Sequence, residues 1–206
     1  MKLILNNIGK RYNYEWIFRK VNREFHAGTN CVILGSNGSG KSTLLQVIAG
    51  NLTHSEGDLK FQISNSVVNE DDRYRQVSIA APYLELFEEF TLTESIDFQS
   101  KFKKFRNNLS AKDIIALTDL EKSKDKQLKY FSSGMKQRVR LALAVLADTP
   151  LLLLDEPASN LDKKAVEWYQ QLVTSHSNDR LIIVASNQQE YEYPFCKEQL
   201  NIEEYK

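Results

Sequence analysis

The sequence predicts an α/β fold built on a parallel sheet, and three observations carry that prediction. A short apolar run, Cys31-Val32-Ile33-Leu34, leads into the glycine-rich Gly35-Ser36-Asn37-Gly38-Ser39-Gly40-Lys41-Ser42 and then into the helix-like Thr43 to Ala49. Four leucines, Leu151 to Leu154, end in Asp155-Glu156-Pro157. A further apolar run, Leu181 to Ala185, follows about one helix later. Continuous apolar runs bounded by turn residues are what strands covered on both faces of a parallel sheet require.

In chain order, Leu3 to Ile8 reads as a first strand and Gly9 to Tyr14 as a turn rich in aromatic and basic residues. Glu15 to Phe25 alternates as a second, antiparallel strand, and His26-Ala27-Gly28 turns into the strand that feeds the glycine-rich loop. Tyr12 is open to two readings: a packing residue, or a ring just upstream of the loop that stacks on a flat ligand.

Strand, glycine-rich loop and helix in this order are the context of a phosphate-binding loop. The glycines let the backbone curl so that successive N–H groups converge on an anion, and the helix start adds its positive dipole end. Lys41 supplies a mobile cation for the outer phosphates. The Ser42 hydroxyl is a hard oxygen donor of the kind Mg²⁺ prefers.

Gly57 to Ser64 and Arg75 to Ala80 read as two more strands, the second ending at Ala81-Pro82. Tyr83 to Phe90 mixes large apolar side chains with acids and is either a docking surface for a partner or the start of an amphipathic helix. Thr93 to Phe105 and Ser110 to Thr118 have helical spacing, with Ser110 a candidate N-cap. Lys122 to Lys126 is a solvated charged loop. Phe131-Ser132-Ser133-Gly134-Met135-Lys136-Gln137-Arg138 opens a helix running to Asp148, capped by Ser132 or Ser133, whose exposed N–H groups make another anion site.

Asp155 and Glu156 stand at the carboxyl end of a buried strand, where open α/β sheets place their ligands. Asp155 is positioned to hold Mg²⁺, directly or through water, and Glu156 to polarise a water for attack on a terminal phosphate. Lys164 to Ser175 reads as a helix. After the last apolar strand comes Ser186-Asn187-Gln188, and Tyr191 to Lys206 gives no clear element.

Composition sets the class. A chain of 206 residues fits one large domain or a domain with an inserted subdomain. Lys plus Arg (27) balances Asp plus Glu (27), which argues against a nucleic-acid partner. The two cysteines, Cys31 and Cys196, lack metal-ligand spacing and read as reduced cytosolic thiols. No window approaches the roughly 20 apolar residues of a membrane span. A soluble, intracellular protein is expected, with any membrane role exercised through a partner.

With these residues in hand, the chain resembles the nucleotide-binding subunit of ATP-binding cassette (ABC) transporters over nearly its whole length. Gly35 to Ser42 is similar to that family's Walker A, and Leu151 to Glu156 to its Walker B with the following glutamate. Ser159-Asn160-Leu161-Asp162 is similar to the D-loop. Phe131-Ser132-Ser133-Gly134-Met135 resembles a divergent form of the signature loop usually written LSGGQ. Tyr12 falls where the family has its adenine-stacking aromatic.

The resemblance implies a single ABC ATPase domain of P-loop NTPase fold over residues 1–206, with an antiparallel β subdomain and a helical subdomain inserted at about 83–148. It implies ATP held by Tyr12, Gly35, Ser36, Asn37, Gly38, Ser39, Gly40, Lys41, Ser42 and Thr43, with Ser42 and Asp155 on Mg²⁺. Glu156, Lys41 and Asn187 are then the catalytic residues. Two copies, or this chain and a homologue, would form a head-to-tail dimer in which Ser132, Ser133 and Gly134 of one subunit close over the ATP of the other. ATP would glue the dimer, and hydrolysis would release it. Membrane-spanning subunits would dock near Pro82 to Phe90, placing the protein on the cytoplasmic face of the inner or plasma membrane.

Departures from the pattern qualify this expectation. Tyr83 stands about where the family has a glutamine, Asn187 where it has a histidine, and Ser133 and Met135 replace the usual Gly and Gln of the signature. An Asn donates a hydrogen bond but carries no positive charge, so turnover is expected to be slow or to depend chiefly on Glu156. The short, Met-containing signature and the lack of a separate regulatory domain imply export rather than import. The competing readings are a non-transport member of the superfamily and a binding-only subunit with weak hydrolysis.

Overall fold

The structure, a computed structural model, describes residues 1–64 and 66–206. Its elements in chain order are β1 (Lys2–Tyr12), β2 (Glu15–His26), β3 (Cys31–Leu34), α1 (Lys41–Ala49), β4 (Glu56–Ile63), β5 (Ser66–Val67), α2 (Arg73–Gln76) and β6 (Val77–Ala80). There follow α3 (Leu92–Ser100), α4 (Ala111–Thr118), α5 (Ser133–Leu146), β7 (Leu151–Asp155), α6 (Lys163–Ser175), β8 (Leu181–Ser186) and β9 (Glu198–Asn201), with short 3-10 turns between.

The strands form two sheets. One is antiparallel with order β2-β1-β4-β5, and the other is parallel with order β6-β7-β8-β3-β9. In the parallel sheet β3 pairs with β8 and β9, so only β8 separates the strand that feeds the glycine-rich loop from β7 with its terminal carboxylate.

Period-two alternation divides the leucine run between two cores. Leu151 and Leu153 join Cys31, Ile33, Leu181 and Ile183 on one face, packed against Leu44, Leu45 and Ile48 of α1 and the antiparallel sheet's Leu3, Phe18, Val21 and Phe61. Leu152 and Leu154 join Val32, Ile182 and Val184 on the other, beneath Val139, Ala142 and Val145 of α5 and Tyr169, Leu172 and Val173 of α6. Each fully buried side chain of this size contributes about 1.5–3 kcal/mol, so both faces of β7 are anchored. The sheet edge carrying Asp155 is held in place as a consequence.

Three expectations need correction. The predicted turn at Gly9 to Tyr14 is mostly strand. β1 continues to Tyr12, because Lys10, Arg11 and Tyr12 pair with Phe18, Trp16 and Glu15, which leaves Asn13 and Tyr14 as the turn. Arg73 to Gln76 is helical, so the strand expected from Arg75 begins at Val77, where burial starts. The helix expected over Thr93 to Phe105 ends at Ser100, and Phe105 instead bridges to Ala147.

Both capped helices of the middle region carry reciprocal boxes, Thr91 with Glu94 on α3 and Ser110 with Asp113 on α4. Between β6 and α3, residues 83 to 90 form no helix, which removes the amphipathic-helix alternative for that stretch. No helix among the described residues is long and apolar enough to cross a membrane.

Candidate nucleotide site

α1 begins at Lys41 behind Gly40, which is left-handed at φ 106°, and it has no side-chain cap and no acid in its first turn. Its leading N–H groups therefore face the loop without a protein partner, the arrangement that binds anions. Lys41 Nζ reaches back across the loop and donates to the Gly35 carbonyl at 2.9 Å and the Ser36 carbonyl at 2.8 Å. Lys41 as a whole is 4 % exposed. Burial pulls its pKa down, while Glu156 and Asp155 oppose that shift.

Asp155 ends β7 and is 1 % exposed. Burial lifts its carboxyl to about 6, and the Ser42 hydroxyl beside it pulls the other way. Neither carboxylate oxygen accepts a hydrogen bond of ordinary geometry. A buried, unpartnered carboxylate next to a hydroxyl offers the hard oxygen donors of a divalent cation, and Mg²⁺ fits Asp155 and Ser42, with the Lys41 ammonium left for the phosphates.

Glu156 follows in a left-handed conformation, φ 43°, with its N–H donating to the Ala185 carbonyl at 2.9 Å. A glutamate in this region costs about 1 kcal/mol or more and is held by its surroundings. Part of the hold is Asn187, whose side-chain Nδ2 donates to Glu156 Oε1 at 2.7 Å. The predicted residues Lys41, Ser42, Asp155, Glu156 and Asn187 thus converge on one sheet edge.

Tyr12 ends β1 about half exposed, with Lys10 Nζ 5.0 Å from its ring centroid. Ile17 of the same hairpin lies against Gly40, which brings the β1–β2 hairpin up to the loop. Tyr83 also approaches the site: its hydroxyl lies beside Gln46 of α1 and feels the charge of Asp155, with burial raising its pKa.

Ser132, and not Ser133, caps α5, accepting from the Met135 N–H at 3.2 Å. Ser132 and Ser133 are exposed. Among the described residues, no hydrogen bond joins Ser132–Gly134 to Gly35–Thr43. The signature stretch meets the D-loop instead, where a Cβ on Gly134 would lie 3.0 Å from the Asn160 carbonyl.

Two side chains that sequence reasoning passed over hold Pro157 and Ala158, the stretch that leads into the D-loop. Gln137 Nε2 donates to the Pro157 carbonyl at 2.9 Å. Glu192, 4 % exposed, accepts from the Ala158 N–H at 3.1 Å and from the Ser186 hydroxyl. Gln137 was visible in the helix-opening run, but nothing in the sequence around Glu192 marks a buried carboxylate.

The sequence pattern of the ABC transporter family matches residues 18–159. An energy-coupling factor transporter ATP-binding protein of Thermotoga maritima is 31 % identical over 93 % of this chain and 74 % of its own length. A sulfate/thiosulfate import ATP-binding protein of Halalkalibacterium halodurans is 30 % identical over 80 % of this chain, and this chain spans only 48 % of that protein. In fold, a solved dimeric ATP-binding cassette, described as a post-hydrolysis state bound to ADP and Pi, superposes with a TM-score of 0.78 at 24 % identity, covering 92 % of this chain and 89 % of the other. On its sequence pattern, its relatives and its phosphate-loop architecture, the chain belongs to the ABC transporter family and is one of its ATP-binding ATPase cassettes.

Proposed function

We propose that this cassette binds Mg-ATP between two subunits arranged head to tail, and that hydrolysis parts them to drive transport through separate membrane-spanning subunits. The observation that carries this reading is Asp155, buried with both oxygens unpartnered beside Ser42 and Lys41. Ser42 and Asp155 would hold Mg²⁺, which supplies charge neutralisation for the phosphates. Lys41 and the free N–H groups of α1 bind the triphosphate, and Tyr12 offers a flat platform for the base. Glu156, held by Asn187, accepts a proton from the attacking water.

The exposed Ser132-Ser133-Gly134 helix start supports the dimer, since its donors and dipole face outward rather than onto the loop of the same chain. For membrane subunits, the support is a cluster at Phe87, Phe90, Phe98 and Phe102, with ring centroids 5.1 to 5.5 Å apart. It flanks a cavity of about 270 Å³ lined also by Glu85 and Lys103. Phe87 and Phe102 are more than half exposed, an apolar patch of the kind that marks an interface. Such a cassette would work at the cytoplasmic face of a membrane.

Export was the expected direction, yet the relatives named above include an importer of sulfate. The proposal is therefore energy coupling without a direction.

Sedimentation of the Glu156→Gln variant tests it. Saturating Mg-ATP is expected to convert monomer to dimer, and a variant that stays monomeric would overturn the sandwich. Asn187 in the position of a protonatable histidine favours a second reading, a binding subunit with little turnover. Phosphate release equal in wild type and Lys41→Ala would select it.

A further inference from the structure

The turn after β9 sets a carboxylate on the phosphate loop. β9 runs parallel to β3 with Asn201 opposite Leu34, so the chain leaves β9 at the edge where β3 opens into Gly35. Ile202 comes next and is fully buried. A Cβ on Gly35 would lie 2.9 Å from Ile202 Cγ2, so only glycine lets the turn approach this closely. Asn201 Oδ1 accepts from the Glu203 N–H at 3.2 Å and fixes the turn. Glu203 Oε1 then accepts from the Ser36 N–H at 2.9 Å and from the Ser36 hydroxyl at 2.6 Å.

We propose that Glu203 is a specificity-determining residue of the phosphate loop, which makes the loop favour metal-complexed triphosphate over the metal-free form. This rests on the reading that Gly35 to Thr43 binds a nucleoside triphosphate. The Ser36 donors hold the Glu203 carboxyl below the usual carboxylate range, so it is ionised at neutral pH. A fixed negative charge at the mouth of an anion site repels the incoming phosphates. A bound metal ion cancels part of the triphosphate's charge, and the repulsion therefore falls more heavily on the metal-free ligand. The turn is pinned by the buried Ile202, and the two bonds from Ser36 keep the exposed carboxylate in place where a free surface acid would swing away.

Calorimetric titration with Mg-ATP, and with ATP in excess EDTA, tests this on the full chain. The variants are Glu203→Gln, Glu203→Lys and Glu204→Gln, the last making the same charge change at an exposed neighbour. Glu203→Gln is expected to tighten metal-free ATP about fivefold and Mg-ATP about twofold at low ionic strength, with Glu203→Lys moving both further the same way. An affinity ratio unchanged from wild type, or shifted no more than by Glu204→Gln, overturns the inference while leaving nucleotide binding intact. A wild-type chain that takes up neither ligand, like Lys41→Ala, overturns the nucleotide reading itself and the inference with it.

Discussion

Asn187 holds Glu156: the side-chain amide nitrogen donates to Glu156 Oε1 at 2.7 Å, while the amide oxygen is buried without a partner. The orientation is dictated by charge, since the opposite flip would set a carbonyl dipole against a carboxylate. A neutral donor therefore orients the Glu156 carboxylate, the general base of the proposed mechanism, without offering a cation. Removing it by Asn187→Ala should lower kcat about tenfold with little change in the KM for ATP, the scale of one hydrogen bond to a charged group. Asn187→Asp should cost more, because a second carboxylate would face the first. Steady-state phosphate release measures both, and an Ala variant with wild-type kcat would show that Glu156 needs no such support.

Asp155 predicts a conflict between function and stability. Its carboxyl titrates at about 6 in the fold against an ordinary value of 3.8, because burial penalises the charge. The folded state thus binds the proton more tightly than the unfolded state, and stability is lost as pH rises from about 4 to about 6. At about 1.4 kcal/mol per pH unit the loss approaches 3 kcal/mol. Without Mg²⁺ or nucleotide, Asp155→Asn should therefore raise the melting temperature at pH 7.5, and the advantage should vanish near pH 4. The same variant should lose Mg-dependent turnover. Equal melting temperatures at pH 7.5 would mean that water already relieves the buried charge.

These two side chains also show what was legible in the sequence. Asp155 and Glu156 stood out because four leucines before them describe a strand covered on both faces, and a carboxyl end of such a strand is a ligand edge. Asn187, just past the end of β8, comes instead from the family resemblance, which puts a histidine after the last core strand. The tail was not readable: β9 buries only Leu200 and is held by backbone pairing to β3, which leaves no apolar period. Glu192 and Glu203 were hidden for that reason, since their roles depend on where an irregular segment returns to the sheet. Tyr12 was misplaced in a turn because cross-strand pairing, not composition, carries β1 through Lys10 and Arg11.

Gly134 predicts a separation between binding and dimer closure. A methyl at this position would meet the Asn160 carbonyl at 3.0 Å, tighter than ordinary contact, and Asn160 is itself left-handed at φ 63°. Gly134→Ala should therefore push the D-loop away from α5 while leaving Gly35 to Thr43 untouched. ATP affinity of the isolated subunit should stay within about twofold of wild type, whereas ATP-driven dimerisation in the Glu156→Gln background should weaken about tenfold or more, a loss of about 1.4 kcal/mol. Unchanged dimerisation would show that the D-loop yields to the methyl at no cost.

Arg180 predicts which part of a buried charge matters to the fold. It is fully buried, donates from Nη1 to the Val145 carbonyl at 2.7 Å, and from Nη2 to Ser78 Oγ at 2.9 Å and Thr149 Oγ1 at 2.8 Å, and among the described residues no carboxylate forms an ion pair with it. The two hydroxyls also satisfy one another, Thr149 Oγ1 to Ser78 Oγ at 2.8 Å, so loss of the guanidinium orphans only the Val145 carbonyl. Burial of the charge costs stability, which an apolar chain of similar length would not. Arg180→Met should accordingly change unfolding free energy by less than about 1.5 kcal/mol. Arg180→Ala leaves a cavity beneath β6 and β7 and should cost about 3 kcal/mol or more. Urea unfolding distinguishes the terms: equal, large losses in both variants would mean that the guanidinium's hydrogen bonds, and not its volume, join α5 to the sheet.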